Sequence, residues 1–390
     1  MLTLLLLVLL APLLAVNLMF VAELLFGLKR APLPVTSQVA ARGATIVVPA
    51  HNEEQVIERT LMSLKAAAGA EFDILVVADN CSDSTAAIAR EQGTSVVERT
   101  DSVRRGKGFA LNFAREWLRR DPPAAVIVLD ADCRTDTDSL RQLAAACLRT
   151  NTPWQAINLI EPDRTAPAMV QISTFAFLIK NLVRQRGLQR LSGAVHLTGT
   201  GMCLPWSQFD GADLATASIV EDIRLGVELS RAGAHPRLAE GSFVWSAHAD
   251  LGSSLSQRSR WEGGYLAMAR AAAPEILSRG LRSFAPRTVL SGMDLLIPPL
   301  AMLAMLNVGA LLLATFVASV GLSNWMPPLA LAGSGALAAV ALMIAWWREG
   351  RDFLSLQTLL KLPMYALWKI PMYAGLARKG APSEWLRTKR

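Results

Sequence analysis

The most apolar positions of the chain lie at its two ends. Residues 2–26 are an almost unbroken apolar run, and roughly 25 residues at about 1.5 Å each would span a ~30 Å hydrocarbon core. Residues 295–320 and 329–347 form two further apolar runs. A cleaved signal peptide does not fit the first run, because no positive charge precedes it and it is too long. The pattern predicts three membrane-spanning helices.

Basic residues and a fourth, less apolar stretch determine the predicted membrane topology. Lys29 and Arg30 follow the first run, so the positive-inside rule predicts that the next domain is cytoplasmic. The stretch 353–376 is interrupted by charges and prolines, which predicts an interfacial or re-entrant helix, with a third C-terminal span as the alternative. The predicted organisation is an N-terminal transmembrane helix at 1–28, a cytoplasmic α/β domain at 40–275, a C-terminal membrane region at 290–376 and a basic cytoplasmic tail at 377–390.

Between the apolar ends, strand and helix patterns alternate. Short runs rich in β-branched residues predict strands at 44–49, 73–79, 95–98 and 126–129, and helical spacing follows them. This alternation predicts an α/β fold with a mostly parallel, helix-covered sheet of the Rossmann type. From about 135 to 190 the pattern is mostly helical.

Composition and charge narrow the class of protein. The 390 residues are 52% hydrophobic with a mean hydropathy of +0.33, which is too apolar for a purely soluble enzyme. A net charge of +7 favours anionic lipid surfaces or phosphate-bearing ligands. Nucleic acid is not an expected partner, because the basic residues are scattered or flank apolar runs. The four cysteines lack Cys-x-x-Cys spacing and are typical of reduced cytosolic thiols.

Two carboxylates follow the strand at 126–129. Asp130 and Asp132 fall at its carboxyl end, where open α/β sheets bind their ligands. An Asp-x-Asp pair there offers hard oxygen ligands to Mg²⁺ or Mn²⁺ and leaves positions for phosphate oxygens. The alternative interpretation is a capped turn.

A lysine between two glycines begins the predicted helix that precedes the strand at 126–129. Lys107 with Gly106 and Gly108 resembles a phosphate cradle, although the glycine pattern of a P-loop is missing. A solvated helix start is the alternative. No Gly-x-Gly-x-x-Gly follows the first strand, which argues against a dinucleotide oxidoreductase. Glycines in residues 195–204 permit close approach of a ligand.

Two later clusters also allow a functional and a structural interpretation. Glu221 and Asp222 begin an amphipathic helix, where acids complement the helix dipole or provide a general base for a sugar hydroxyl. Residues 257–261 combine an amide, two guanidiniums and an indole. Arginines hold diphosphate and a Trp face stacks on sugar, whereas the alternative is a membrane-interface helix with snorkelling side chains.

In this order, the motifs resemble those of membrane-bound, processive-type members of glycosyltransferase family 2. That group includes cellulose, hyaluronan, chitin-oligosaccharide and poly-N-acetylglucosamine synthases and the ceramide glucosyltransferases. The resemblance covers residues 44–262 by motif and the flanking apolar runs by layout. Its motifs here are Val48-Pro49-Ala50-His51-Asn52-Glu53, Asp79, Asp130-Ala131-Asp132, Glu221-Asp222, and Gln257, Arg260 and Trp261 of a Gln-x-x-Arg-Trp signature.

The resemblance implies a GT-A nucleotide-sugar domain that performs inverting sugar transfer from a nucleotide-diphosphate sugar, with UDP-sugar as the expected donor. It implies Asp222 as the general base and Mg²⁺ or Mn²⁺ as the cofactor. The remaining implied roles are nucleoside binding by Pro49, His51, Glu53 and Asp79, metal binding by Asp130 and Asp132, diphosphate binding by Lys107, Asp130 and Arg260, and acceptor binding by Glu221, Gln257 and Trp261.

The acceptor stays open between two classes. One is a polysaccharide or oligosaccharide, as in exopolysaccharide synthesis with possible export partner subunits; the other is a membrane lipid that receives one sugar. No Phe-x-Val-Thr-x-Lys segment follows the second C-terminal run, and three spans are few for a polymer channel, which argues against cellulose synthesis. A non-catalytic scaffold is disfavoured by the intact carboxylates, and a secondary transporter by the size of the α/β domain. The expected location is a bacterial inner membrane with the catalytic domain in the cytoplasm.

Overall fold

The computed structural model describes residues 2–30, 43–218, 220–247 and 251–380. The predicted basic tail therefore lies, from residue 381 onward, outside the described residues. The chain forms two compact units. We call them the sheet unit, residues 43–161 and Gly193–Met268, and the helical unit, residues 2–29, Pro162–Ser192 and Ala269–Gly380.

Within the described residues, the sheet unit is built on eight strands in the order β3-β2-β1-β4-β7-β6-β8-β5. Strands β3, β2, β1 and β4 are mutually parallel, as are β6 and β8, whereas β7 and β5 pair only antiparallel. The strands are β1 Ala44–Ala50, β2 Asp73–Asp79, β3 Ser95–Arg99, β4 Ala125–Val128, β5 Cys133–Thr135, β6 Trp154–Ile160, β7 Met202–Pro205 and β8 Arg237–Ser246.

Helices cover both faces of this sheet. Alternate side chains of a strand point to opposite faces. Ile46 and Val48 therefore pack in one apolar cluster with α2 (Ile57–Ala68) and α5 (Thr137–Thr150), while Val47 packs in a second with α4 (Lys107–Leu118) and α9 (Glu221–Arg231). This double burial is why the parallel strands are continuously apolar. The helices are α2 Ile57–Ala68, α3 Thr85–Glu91, α4 Lys107–Leu118, α5 Thr137–Thr150, α8 Trp206–Gly211 and α9 Glu221–Arg231, and α10 Leu251–Arg282 contributes residues to both units.

Residues 135–190 are mostly helical, as predicted, but the prediction missed the strand β6. Gln155 and Asn158 interrupt its apolar pattern, yet both side chains are buried. The Gln155 amide donates to the carbonyl of Thr200 at 2.8 Å and accepts from the N–H of Thr198 at 2.9 Å. These partners come from a distant segment, so the local pattern does not show that the polar residues belong to a buried strand.

The helical unit contains three helices that are long and apolar enough to cross a membrane: Leu2–Gly27, Leu300–Ser319 and Met326–Gly350. The stretch predicted as interfacial or re-entrant forms α14 and α15, and neither is among these three. The helices of this unit are α1 Leu2–Gly27, α6 Ala168–Leu178, α7 Gln185–Ser192, α11 Pro286–Leu295, α12 Leu300–Ser319, α13 Met326–Ala345, α14 Leu356–Leu359 and α15 Leu362–Lys379, with π-helical segments at Ile179–Arg184 and Trp346–Gly350.

A buried ionic network links three segments of the helical unit. The guanidinium of Arg184 bonds Glu23 of α1 at 2.6 Å and Asp294 of α11 at 2.6 Å. It also lies 5.9 Å from the ring centroid of Phe20. Glu23, which the sequence places near the end of an apolar run, is thus neutralised inside the protein.

Candidate active site

The loops after β1 and β2 are joined by hydrogen bonds. Pro49 lies near the end of β1, and Asn52 follows with a left-handed φ of 55°. The Asn52 side chain accepts from the N–H of Ser82 at 2.8 Å. Glu53 donates its N–H to the hydroxyl of Thr85 at 2.8 Å. The predicted nucleoside loop is therefore fixed against the turn that follows β2.

Asp79 ends β2 and is buried. Its carbonyl oxygen lies 2.7 Å from Nδ1 of His51. Its Oδ1 accepts from Arg99 at 2.5 Å and from the side chain of Asn80 at 3.1 Å. Its Oδ2 is buried with no hydrogen-bond partner among the described residues. A buried acceptor left unpaired costs about 1–3 kcal/mol.

Arg99 is a residue of this site that the sequence did not indicate. It ends β3 and stands directly opposite Asp79 in the parallel register of β2 and β3. Its second nitrogen bonds Asp101 at 3.1 Å and the carbonyl of Arg104 at 2.7 Å. Arg99 thus ties Asp79 to the loop that leads to Lys107. The available signal was an arginine at the end of a strand adjacent to the strand that carries Asp79.

The N-terminus of α4 places Lys107 among carboxylates. Gly108 fits here because a Cβ would lie 2.6 Å from the carbonyl oxygen of Leu214. The Lys107 ammonium forms an ion pair with Asp130 and donates to the carbonyl of Gly199 at 2.7 Å. Burial alone would lower the pKa of Lys107, but the charges of nearby acids, first that of Asp130, outweigh it and raise the pKa. The lysine is a fixed positive charge.

Asp130 and Asp132 lie together after β4. Their carboxylate oxygens and the sulfur of Cys133 all lie within 4.8 Å of one another. Burial, followed by the charges of Asp132 and Asp130, raises the pKa of the Cys133 thiol well above its usual value of 9.0, so it is protonated at neutral pH. The groups suited to a hard cation are therefore the two carboxylates.

Glu221 and Asp222 begin α9 beside the same lysine. Gly199 has a φ of 84°, and a Cβ there would lie 3.3 Å from Oδ2 of Asp222 and 3.5 Å from Nζ of Lys107. Burial, and then the charge of Asp222, raises the pKa of Glu221 to about 8, while Lys107 lowers it. The structure thus brings Lys107, Asp130, Glu221 and Asp222 into one electrostatic cluster.

Gln257, Arg260 and Trp261 lie on α10. Gln257 is buried, whereas Arg260 and Trp261 are half-buried. The guanidinium of Arg258 lies 5.3 Å from the ring centroid of Trp261. Burial lowers the pKa of Arg260. The same helix approaches the start of α9, because a Cβ at Gly264 would lie 2.8 Å from Cγ1 of Val220.

Comparison with known proteins gives the class of protein. The family described as "Glycosyltransferase like family 2" matches residues 41–264. This is more than half of the chain, and the chain belongs to glycosyltransferase family 2. This family membership confirms the prediction that the protein is a glycosyltransferase.

Two curated relatives match part of the chain. It is 23% identical over 236 residues to the probable glycosyltransferase YdaM of Bacillus subtilis, a match that covers 56% of this chain and 54% of that protein. It is 37% identical over 87 residues to an uncharacterized protein of Methanocaldococcus jannaschii, covering 22% of this chain and 34% of that protein. The chain therefore spans about half of the first relative and a third of the second.

A solved structure supports the fold. The mannosyltransferase PcManGT from Pyrobaculum calidifontis, in complex with GDP-Man and Mn²⁺, aligns with a TM-score of 0.55 at 16% identity. The alignment covers 92% of this chain and 99% of that one. The predicted α/β fold of the GT-A type, with a mostly parallel sheet under helices, is confirmed.

Proposed function

We propose that this protein transfers a sugar from a nucleotide-diphosphate sugar to an acceptor hydroxyl with inversion at the anomeric carbon. The observation that carries the proposal is the cluster around Gly199, where Lys107, Asp130 and Asp222 meet at the edge of a family 2 domain. A cation and a carboxylate base side by side provide what displacement of a diphosphate by a hydroxyl requires.

The nucleoside is held by Pro49, His51, Glu53 and Asp79. Asp79 is buried at the end of β2, where its Oδ1 accepts from Arg99 and from the side chain of Asn80, so its carboxylate is fixed beside this loop. A UDP-sugar is the first candidate donor, as the motifs of the chain imply.

Asp130 and Asp132 hold Mg²⁺ or Mn²⁺ in this proposal, because they present hard oxygens close together. When bound, such a cation neutralises charge on the leaving diphosphate. Lys107 and Arg260 add positive charge for the same group. An Asp132→Ala variant is expected to weaken metal-dependent donor binding, measured by titrating Mn²⁺ at fixed donor concentration. An unchanged titration would remove Asp132 as a ligand.

Asp222 accepts the proton of the attacking hydroxyl. Burial, and then the charge of Asp222, raises the pKa of Glu221 to about 8, which favours Asp222 as the base at neutral pH. The acceptor oxygen bonds to the anomeric carbon as the bond from that carbon to the diphosphate oxygen breaks. The nucleoside diphosphate leaves, and an α-linked donor gives a β-linked product. Glu221, Gln257 and Trp261 shape the acceptor site.

The acceptor is a polysaccharide or oligosaccharide in the first proposal, with the enzyme in a bacterial inner membrane, its catalytic domain in the cytoplasm and export by partner subunits. A second candidate is a membrane lipid that receives one sugar. The observation that favours the second is the small number of apolar helices, three in the described residues, because a polymer channel needs more.

A donor screen tests the proposal on the full chain in nanodiscs with Mg²⁺ or Mn²⁺. Release of free nucleoside diphosphate is measured over a panel of nucleotide sugars, and the product is sized by mass spectrometry. A ladder of masses supports polymer synthesis, and one added mass on an extracted lipid supports lipid glycosylation. If no donor is consumed when lipids and oligosaccharides are supplied, the proposed activity is wrong for the isolated chain.

A further inference from the structure

The turn between α10 and α11 exposes two large apolar side chains. Leu281 is 64% exposed and Phe284 is 93% exposed. Phe284 also has a φ of 50°, a left-handed conformation that bulky residues rarely adopt. The conformation is held by a hydrogen bond from the N–H of Ala285 to the carbonyl of Gly280 at 2.9 Å. Gly280 allows close approach of the two helices, since a Cβ there would lie 2.8 Å from the nitrogen of Val289.

Exposed arginines surround this apolar tip. Arg279 and Arg282 line a cavity of about 360 Å³ together with Glu275, Ser278 and Ser283. Arg287 begins the next helix and is exposed. Arg279 pairs with Glu275 at 3.0 Å, whereas Arg282 and Arg287 have no acidic partner within the described part of the chain. The tip therefore carries a net positive charge.

Two exposed apolar side chains with three exposed arginines on the same turn and its flanking helix ends match the chemistry of an anionic lipid surface. Phe and Leu enter the acyl boundary, and arginines bind phosphate head groups. The position fits as well, because α11 ends at Leu295 and the apolar helix α12 begins at Leu300 in the same unit. Helix α11 has ten residues and is about 15 Å long at about 1.5 Å per residue, so the turn lies about one length of α11 before the start of α12.

We propose that this turn is a lipid-docking element. Leu281 and Phe284 enter the interface of an anionic bilayer, and Arg279, Arg282 and Arg287 bind its phosphates. The element is independent of the sugar-transfer chemistry and holds whichever donor the enzyme uses.

The test is a nitroxide attached at Ser283→Cys in the full chain, with Cys81→Ser to remove the half-buried native thiol. The protein is reconstituted in phosphatidylcholine vesicles with or without phosphatidylglycerol. We expect the ratio of accessibility to oxygen over a water-soluble nickel complex to rise several-fold with phosphatidylglycerol. An equal ratio in both vesicles would overturn the proposal.

A charge-matched pair of variants separates docking from general attraction. Changing Arg279, Arg282 and Arg287 to Gln is expected to abolish the effect of phosphatidylglycerol on the nitroxide. Changing Arg59, Arg120 and Arg149, three exposed arginines of the sheet unit, to Gln removes the same charge and is expected to leave the effect intact. Equal loss in both sets contradicts a local site. Nitroxide protection that depends on protein concentration in detergent instead identifies a protein contact and also overturns the proposal.

Discussion

Two charged clusters in this protein use the same chemistry in different settings. In the helical unit, Arg184 lies between Glu23 and Asp294, whose side chains are 0% and 4% exposed. In the sheet unit, Lys107 pairs with Asp130, whose side chain is 38% exposed, and lies near Asp222 across Gly199. The two cations are equally buried, Arg184 at 11% and Lys107 at 12% exposure. We call the first cluster closed because both of its carboxylates are buried, and the second open because Asp130 reaches solvent.

The difference indicates which cluster can bind a ligand. Arg184 directs two of its nitrogens at carboxylates, each at 2.6 Å, and both carboxylates are buried, so neither acid reaches solvent. Around Lys107, a glycine keeps the space between ammonium and carboxylate free of side chain. Charge buried in a closed pair contributes to the fold, whereas charge held at an open edge can act on a substrate.

The largest effect is expected from breaking the closed cluster. Arg184→Met leaves two buried carboxylates without their cation and should destabilise the protein by about 3–5 kcal/mol. Thermal unfolding in detergent measures this. The control is Arg279→Met, whose ion pair with Glu275 is exposed and worth about 0–1 kcal/mol. If both variants unfold at the same temperature, the closed cluster is not a structural element. Replacing Glu23, Arg184 and Asp294 together by apolar residues should recover most of the loss.

The open cluster should behave in the opposite way. Asp222→Asn keeps the shape of the side chain but cannot accept a proton, so transfer should fall about 10²–10⁴-fold with little change in stability. Nucleoside diphosphate release measures the rate, and calorimetric titration of the donor should show unchanged binding. Asp213→Asn is the matched control. Asp213 is an exposed acid that pairs with Arg224 of α9, the helix that also carries Asp222. Near-normal turnover of Asp222→Asn would exclude it as the base.

The sequence predicted the first half of the sheet well and the second half poorly. Strands β1, β2 and β4 are short β-branched runs buried on both faces, and that pattern is local. Strand β6 has no such local pattern, because Gln155 is buried with a hydrogen-bond partner from the distant segment near Thr200. The three candidate spans follow directly from runs of apolar residues, which are also local.

The same distinction holds within the site. Asp130, Asp132 and Asp222 stand in short motifs, whereas Arg99 acquires its role from the register that places β3 beside β2. Glu23 is a visible charge in an apolar run, but the sequence does not identify its partner Arg184, which is far away along the chain.

Arg99 offers a test of the nucleoside-binding carboxylate Asp79, which lies in the same sheet unit as the open cluster. Arg99→Lys keeps the charge but loses the fork that bonds Asp79, Asp101 and the Arg104 carbonyl together. We expect the donor KM to rise about tenfold, or about 1.4 kcal/mol, with kcat nearly unchanged. Steady-state kinetics measures both constants. In an Asp79→Asn background the Arg99→Lys change should have little further effect. A fall in kcat with an unchanged KM would show that Arg99 does not position the nucleoside-binding carboxylate.

The smallest expected effect on the reaction is a change in the pH dependence of kcat/KM at Glu221. Its pKa is raised from 4.5 to about 8, first by burial, so the group is neutral below pH 8 and negative above it. The added charge repels the diphosphate, and kcat/KM for the donor should fall as pH rises through about 8. The unfolded chain releases this proton near 4.5, so stability also declines between these two pH values. Glu221→Gln stays neutral and should remove both trends. Measuring kcat/KM and thermal unfolding from pH 5 to 9 checks them, and an inflection near 8 that persists in the variant would assign the titration to another group.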